Sequence, residues 1–238
     1  MKTPFKKIVL LSAVLLAAAP ALLAQSRLPF DPSTYFSFGK GPVSAQVLSY
    51  VGFGYHLPTN TMEDKQRRAF NDEFFLNILE IRAEIIEGGL LTLGFDWDWD
   101  GYRVRNDCRW EPVDGNSRVI IVPRGEYTIR KSVLAVNSFS VPLGFEYKIE
   151  KWAFRFDAGL DINLRAKTRL RTLSSNGDIT RTVVKGIPTH TLNYHFTAAI
   201  SYGGLGLYAR FNPMSQFDPG VGPQYRAITL GLILGLGM

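Results

Sequence analysis

The run DWDWDGYRVRND, Asp96 to Asp107, sets carboxylates at alternate positions, a glycine after the third, and a further carboxylate at its twelfth position. That is the spacing of a calcium loop, in which oxygen ligands at the odd positions and the twelfth encircle the ion. Its ligands would be Asp96, Asp98, Asp100 and Asp107. Trp97, Trp99 and Arg103 fit such a loop poorly, and the same residues prolong an alternating pattern without a break. The segment therefore reads as strand first and as a cation site only second. A lipid hydrolase would need a histidine beside a serine and an acid. Of His56, His190 and His195, only His195 shares a strand face with a serine, Ser201, and no G-x-S-x-G motif surrounds it. The single cysteine, Cys108, and the scattered histidines make no zinc ligand set. The glycines of GLGLY and GLILGLG alternate within strands and make poor phosphate cradles. The expectation is no catalytic residue, no cofactor and, outside the calcium alternative, no metal.

The elements that must carry these residues alternate with a period of two, the period of strands. In WAFRFDAGLDINLRAK, Trp152 to Lys167, every even position is apolar and most odd positions are charged or amide. The same pattern covers Val43–Tyr55, Phe75–Ile85, Leu91–Trp99, Val133–Ile149, Thr189–Tyr202, Leu205–Phe211 and Ile228–Met238, which makes eight strands. Strands two and three meet at Glu87-Gly88-Gly89, four and five at Glu150-Lys151, six and seven at Gly203-Gly204, all of hairpin length. The other connections, 58–72, 106–130, 168–188 and 212–224, are long. Short and long turns thus fall at opposite ends, as in barrels of outer-membrane type, and an even strand count puts both chain ends on the short-turn, periplasmic side.

Residues 1–24 have a basic start (Lys2, Lys6, Lys7), an apolar run and Ala24-Gln25, the build of a secretory signal peptide. Its loss would remove three of the 27 basic residues and none of the 21 acidic ones, leaving 24 against 21. So small a surplus argues against a nucleic-acid partner. Residues 25–42 would form a periplasmic segment and 43–238 the barrel.

Two registers can be read in advance. Pairing Ile149 with Trp152 sets Glu146 opposite Arg155, and pairing Tyr202 with Leu205 sets Thr197 opposite Arg210. If the Gly88 turn sets Glu80 opposite Asp96, two acids face each other and need a counter-charge. The polar face then carries Glu80, Arg82, Glu84, Asp96, Asp98, Glu146, Lys148, Arg155, Asp157, Asp161, Arg165, Lys167 and Arg210. In a cylinder of eight strands there is room for side chains only, so these are expected to fill the lumen as ion pairs. The apolar face has aromatics near both ends: Tyr55, Trp97 and Trp99 by the long loops, Tyr147, Trp152 and Tyr202 by the short turns, the arrangement of interfacial girdles. From Trp152 to Leu164 is about 40 Å at roughly 3.3 Å per step, or about 30 Å when tilted near 40°, the depth of a bilayer core. The expectation is an all-β, eight-stranded antiparallel transmembrane up-and-down barrel with lipid on its apolar face. A soluble lipocalin-like carrier, with that face turned inward, is the alternative architecture.

SVPLGFEYKIEKWAFRFDAGLDINLRAK (Ser140–Lys167) and the terminal YRAITLGLILGLGM resemble outer-membrane barrels of the Bacteroidetes PorT-like family. The resemblance implies an eight-stranded outer-membrane barrel, without known activity for most members, whose eponym serves a protein-secretion machine. The expected role is that of a non-enzymatic cell-envelope protein in the outer membrane of a Gram-negative bacterium. It would be structural or an accessory of a secretion or envelope complex. Its contacts would be outer-membrane lipid, lipopolysaccharide and envelope proteins, reached through the long loops and residues such as Arg109, Arg118, Arg124 and Lys185. A lipid-A-modifying enzyme is the alternative activity.

Overall fold

Strict alternation becomes strand almost everywhere. The computed structural model describes residues 37–38, 43–58, 72–105, 107–125, 128–174, 176–224 and 226–236. The expected signal peptide, nearly all of the expected periplasmic segment, part of the first long loop and the last two residues lie outside the described residues. The strands are β1 (Ser37–Phe38), β2 (Val43–Val47), β3 (Val51–Pro58), β4 (Asp72–Ile86), β5 (Gly89–Arg103), β6 (Cys108–Val113), β7 (Arg118–Pro123), β8 (Thr128–Ile149), β9 (Trp152–Leu173), β10 (Ile179–Lys185), β11 (Leu192–Tyr202), β12 (Gly204–Asn212) and β13 (Ala227–Leu236). Each wall strand pairs antiparallel with its neighbours in the ring β3-β4-β5-β8-β9-β11-β12-β13, and β13 returns to β3. The result is the expected closed, eight-stranded antiparallel barrel. Closure leaves the wall without an unpaired edge.

The three short turns stand where the sequence puts them. Gly88 (φ 74°) and Gly203 (φ 58°) supply the left-handed backbone of two of them, and Glu150 (φ 54°) that of the third. Both registers read in advance are observed: Glu146 faces Arg155, and Thr197 faces Arg210. At the opposite end β8 and β9 run on together for 22 residues each. There β10 continues the sheet beside β9, turning at Asn176-Gly177 (Gly177 φ 87°). The β6–β7 hairpin forms a separate two-stranded sheet inside the 106–130 connection. The sixth wall strand is shorter than its pattern, because Thr189–Thr191 lie outside β11.

Several irregularities shift the alternation. The first predicted strand is broken: Leu48 takes a left-handed backbone (φ 55°), and β2 and β3 pair with separate stretches of β4. Ile78 is an extra residue in β4, so Asn77 faces Asp96 and Glu80 faces Gly94. This corrects the expected Glu80–Asp96 opposition; the bulge inserts one residue and re-aims those before it. Phe75 is thereby turned inward, 1% exposed. Leu164 is extra in β9, where Ser138 pairs with Asn163 and Asn137 with Arg165. Beyond it the faces exchange: Arg165 is exposed rather than inward, Ala166 is buried rather than outward, and Lys167 joins the outer face of the exposed Arg169. Another bulge follows Glu84 at the end of β4, and Glu84, at the rim of the wall, is exposed as well.

Candidate functional site

Side-chain sidedness is the central feature. The outward row of β9, from Trp152 through Phe154, Phe156 and Leu160 to Leu164, is exposed, Phe156 by 64%. Between them Ala153, Arg155, Gly159 and Asp161 point inward, and Arg155 is 1% exposed. Aliphatic and aromatic residues thus meet the surroundings while ions occupy the middle, the inverse of a water-soluble fold.

Two ionic clusters fill the interior. In the first, Arg155 on β9 pairs with Glu80 of β4 at 2.5 Å and with Asp157 at 2.9 Å, and lies 3.8 Å from Glu146. Arg82 holds the other oxygen of Glu80, and Lys148 lies 3.5 Å from Glu146. The Arg155 guanidinium stacks 4.7 Å over the Tyr50 ring and donates to its hydroxyl at 3.2 Å; that hydroxyl donates in turn to Asp96. Asn77 donates to the second Asp96 oxygen at 2.7 Å, so an amide stands where a second acid was expected. In the second cluster Arg210 lies 4.3 Å over Phe75 and pairs with Glu73 at 2.6 Å and Asp98 at 3.3 Å. Nearby, His195 bonds Asp161 at 2.9 Å. His56 bridges Thr229 at 2.6 Å and Asp100 at 3.0 Å. Buried charges persist only when paired and hydrogen-bonded.

Apolar clusters accompany this ionic layer. Tyr50, Phe75, Ala199, Tyr208, Ile233 and Leu236 form one inside the wall. Leu236 turns inward, against its alternation, after Gly235 with φ 95°. The other, at the long-connection end, brings Trp110 and Val119 of the β6–β7 hairpin, Ile187 and Phe217 onto Leu134, Val136 and Ala166. Its Tyr102 stacks on His56 at 5.0 Å. Cys108 is buried there too.

Of the thirteen charges expected inside, Glu80, Arg82, Asp96, Asp98, Glu146, Arg155, Asp161 and Arg210 are buried, while Lys148 and Asp157 are half-buried. Glu84, Arg165 and Lys167 do not join them. Periodicity missed Glu73, His56 and Asp100, which complete the second cluster. All six girdle aromatics are on the outer face. Trp152 and Tyr202 are cross-strand partners with rings 5.0 Å apart, and Tyr147 pairs with Phe154, so this end carries a contiguous aromatic patch. At the other end Trp99 pairs with Phe74, Trp97 with Leu76 and Tyr55 with Asp72.

The DWDWDG run is strand, not loop: Asp96, Asp98 and Asp100 line the interior of β5, and Asp107 is outside, 3.2 Å from Arg105. His56, Glu73 and Asp100 offer ligand atoms within 4.8 Å of one another and border a small enclosed polar cavity of about 10 Å³, room for one water-sized body. A metal there would have to displace a hydrogen bond from each His56 nitrogen it used and compete with Arg210 for Glu73. Glu73 is held there by its ion pair with Arg210, while both of its carboxylate oxygens lack a hydrogen-bond partner. Ser201 donates to the carbonyl of Leu236 at 2.9 Å. It stands six residues from His195 on one strand, roughly 20 Å away, so the two do not meet as a nucleophile and base. In the β6–β7 hairpin Arg109 is bound by Glu111 at 2.6 Å, and Arg118 by Asp114 at 3.3 Å and the Gly220 carbonyl at 3.1 Å.

Gly159 admits His195 to its place: a methyl group at 159 would fall within the imidazole. Gly159→Ala is therefore expected to cost about 1–3 kcal/mol through overpacking, read as a lowered urea midpoint for the folded barrel. An unchanged midpoint would mean that the His195–Asp161 pair is not packed as described.

No family model matches the chain, and no curated protein matches it.

Proposed function

We propose that this is an outer-membrane β-barrel protein of a Gram-negative cell envelope, non-enzymatic, with a structural or interaction role. It spans the bilayer with both termini and the short turns in the periplasm, and it presents the long connections outside. The PorT-like resemblance of Ser140–Lys167 favours an accessory role in a secretion or envelope complex, with the outer hairpins as the contact surface. The observation that carries the reading is sidedness: an apolar, aromatic-bordered wall around a core in which Glu80 is 0% and Arg155 1% exposed. Hydrocarbon accepts such a wall because closure leaves it no open sheet edge. A carrier of apolar ligands would need an apolar chamber, and the inward residues here are ionic or tightly packed.

Expressed with its leader in a Gram-negative host, the chain is expected in the outer-membrane pellet. It should resist extraction at high pH and migrate faster on gels unheated than boiled. Folded protein recovered from periplasmic fluid without detergent would overturn the reading.

A further inference from the structure

The outer face of the wall changes character abruptly at Leu164. Below it β9 presents apolar side chains for the depth of a bilayer core; above it the same face presents Lys167, Arg169 and Arg171. The flanking strands add to this face. Lys131 of β8 and Arg181 of β10 both stand opposite Arg171, and Lys185 stands opposite Lys167. The three segments 129–137, 165–173 and 179–185 contain no acidic residue. Among the described residues none of these six cations has an ion-pair partner. Like charges directly opposite on neighbouring strands repel. The opposite face of these strands is committed to packing: Ala166 and Leu134 are buried in the apolar cluster at this end, and Val184 packs against it. Apart from Asp72, which is paired with Arg103 and whose charge reaches Lys131, the cations are held without counter-ions on a stiff sheet, with roughly 5 Å between strands and about 7 Å along them.

We propose that this face binds the phosphate groups of anionic lipid in the surrounding leaflet, the phosphorylated glycolipid of an outer membrane. Arginine and lysine match phosphate oxygens with charge-assisted hydrogen bonds, and basic clusters of about four to eight residues beside a bilayer core are lipid-phosphate sites. Anions between Arg171 and Arg181, or between Lys167 and Lys185, would relieve the repulsion that the register imposes. A soluble acidic polymer would be met equally well by cations on a loop tip. Their placement directly after the apolar row favours lipid. The inference rests on the transmembrane reading above.

The test uses the full mature chain, folded first in neutral phosphatidylcholine vesicles and then in detergent with added diphosphoryl lipid A. A variant with Arg169, Arg171, Arg181 and Lys185 each replaced by Gln is compared with it. Both are expected to fold in the neutral vesicles. In detergent the original chain should bind the lipid about tenfold or more tightly than the variant, lose it in 0.5 M NaCl, and hold dephosphorylated lipid no better than the variant does. Screening of exposed charges at high salt predicts that loss. Equal binding by the two folded proteins, salt-resistant binding, or tighter capture of a soluble sulfated polysaccharide than of lipid A would each overturn the proposal. Should the variant fail to fold, the salt and dephosphorylation arms on the original chain still decide it. Failure of the original chain to fold in any bilayer sinks the transmembrane reading itself, a result distinct from the others.

Discussion

Arg155→Met should destabilise the barrel by about 3–5 kcal/mol, the cost of removing one partner from a buried ion pair and leaving the other charge uncompensated. Arg155 is 1% exposed and is shared among Glu80, Asp157 and the Tyr50 hydroxyl. Its loss leaves Glu80 with Arg82 alone and strips Tyr50 of the cation over its ring. The effect is to be read as the urea midpoint of the chain folded in vesicles, or as loss of the fast-migrating unheated form. Glu80→Gln added to Arg155→Met should recover part of it, because the pair's two members are coupled. A single variant within about 0.5 kcal/mol of the parent, the range of ordinary surface changes, would mean that the guanidinium is solvated and the interior open.

Phe156→Arg should cost about 2–4 kcal/mol in a bilayer, the penalty for a cation near the midplane of a barrel's lipid face, whereas Tyr202→Arg, beside a short turn, should cost only about 0–1. Phe156 is 64% exposed, and on a protein in water so exposed a site would tolerate the change within about 0.5 kcal/mol. The two environments therefore predict opposite outcomes for one substitution. Folding yield and unfolding midpoint in vesicles measure it. Equal, negligible costs at the two positions would remove the membrane reading.

The sequence made the faces legible at two of the three short turns. The Glu150 and Gly203 hairpins fix Glu146 against Arg155 and Thr197 against Arg210, and both contacts occur. It did not make the bulges legible. Ile78 and Leu164 are ordinary apolar residues, and a single inserted residue has no signature in a period of two, yet each reassigns every side chain beyond it. That is how Phe75 moved to the interior and Arg165 to the surface. The second ionic cluster was lost at strand ends. The first strand was read only to Tyr55, one residue short of His56; the second began at Phe75, two after Glu73; the third stopped at Trp99, one before Asp100. In the structure β3, β4 and β5 all run further, to Pro58, from Asp72 and to Arg103. Prolonging the inward row of Asp96 and Asp98 by one step would have found Asp100.

The ionic core also dictates how the cylinder can be assembled. Glu80 and Arg155 lie 75 residues apart in the chain, Tyr50 and Arg155 105, and His56 and Thr229, which join the first and last walls, 173. In the membrane proposed above, a lone hairpin would carry Glu80 with Arg82 alone, or Arg155 with only Asp157 and Glu146. On the proposed membrane reading, insertion of the strands and zippering of the seam must then advance together, so the chain would enter as a nearly complete ring rather than ribbon by ribbon.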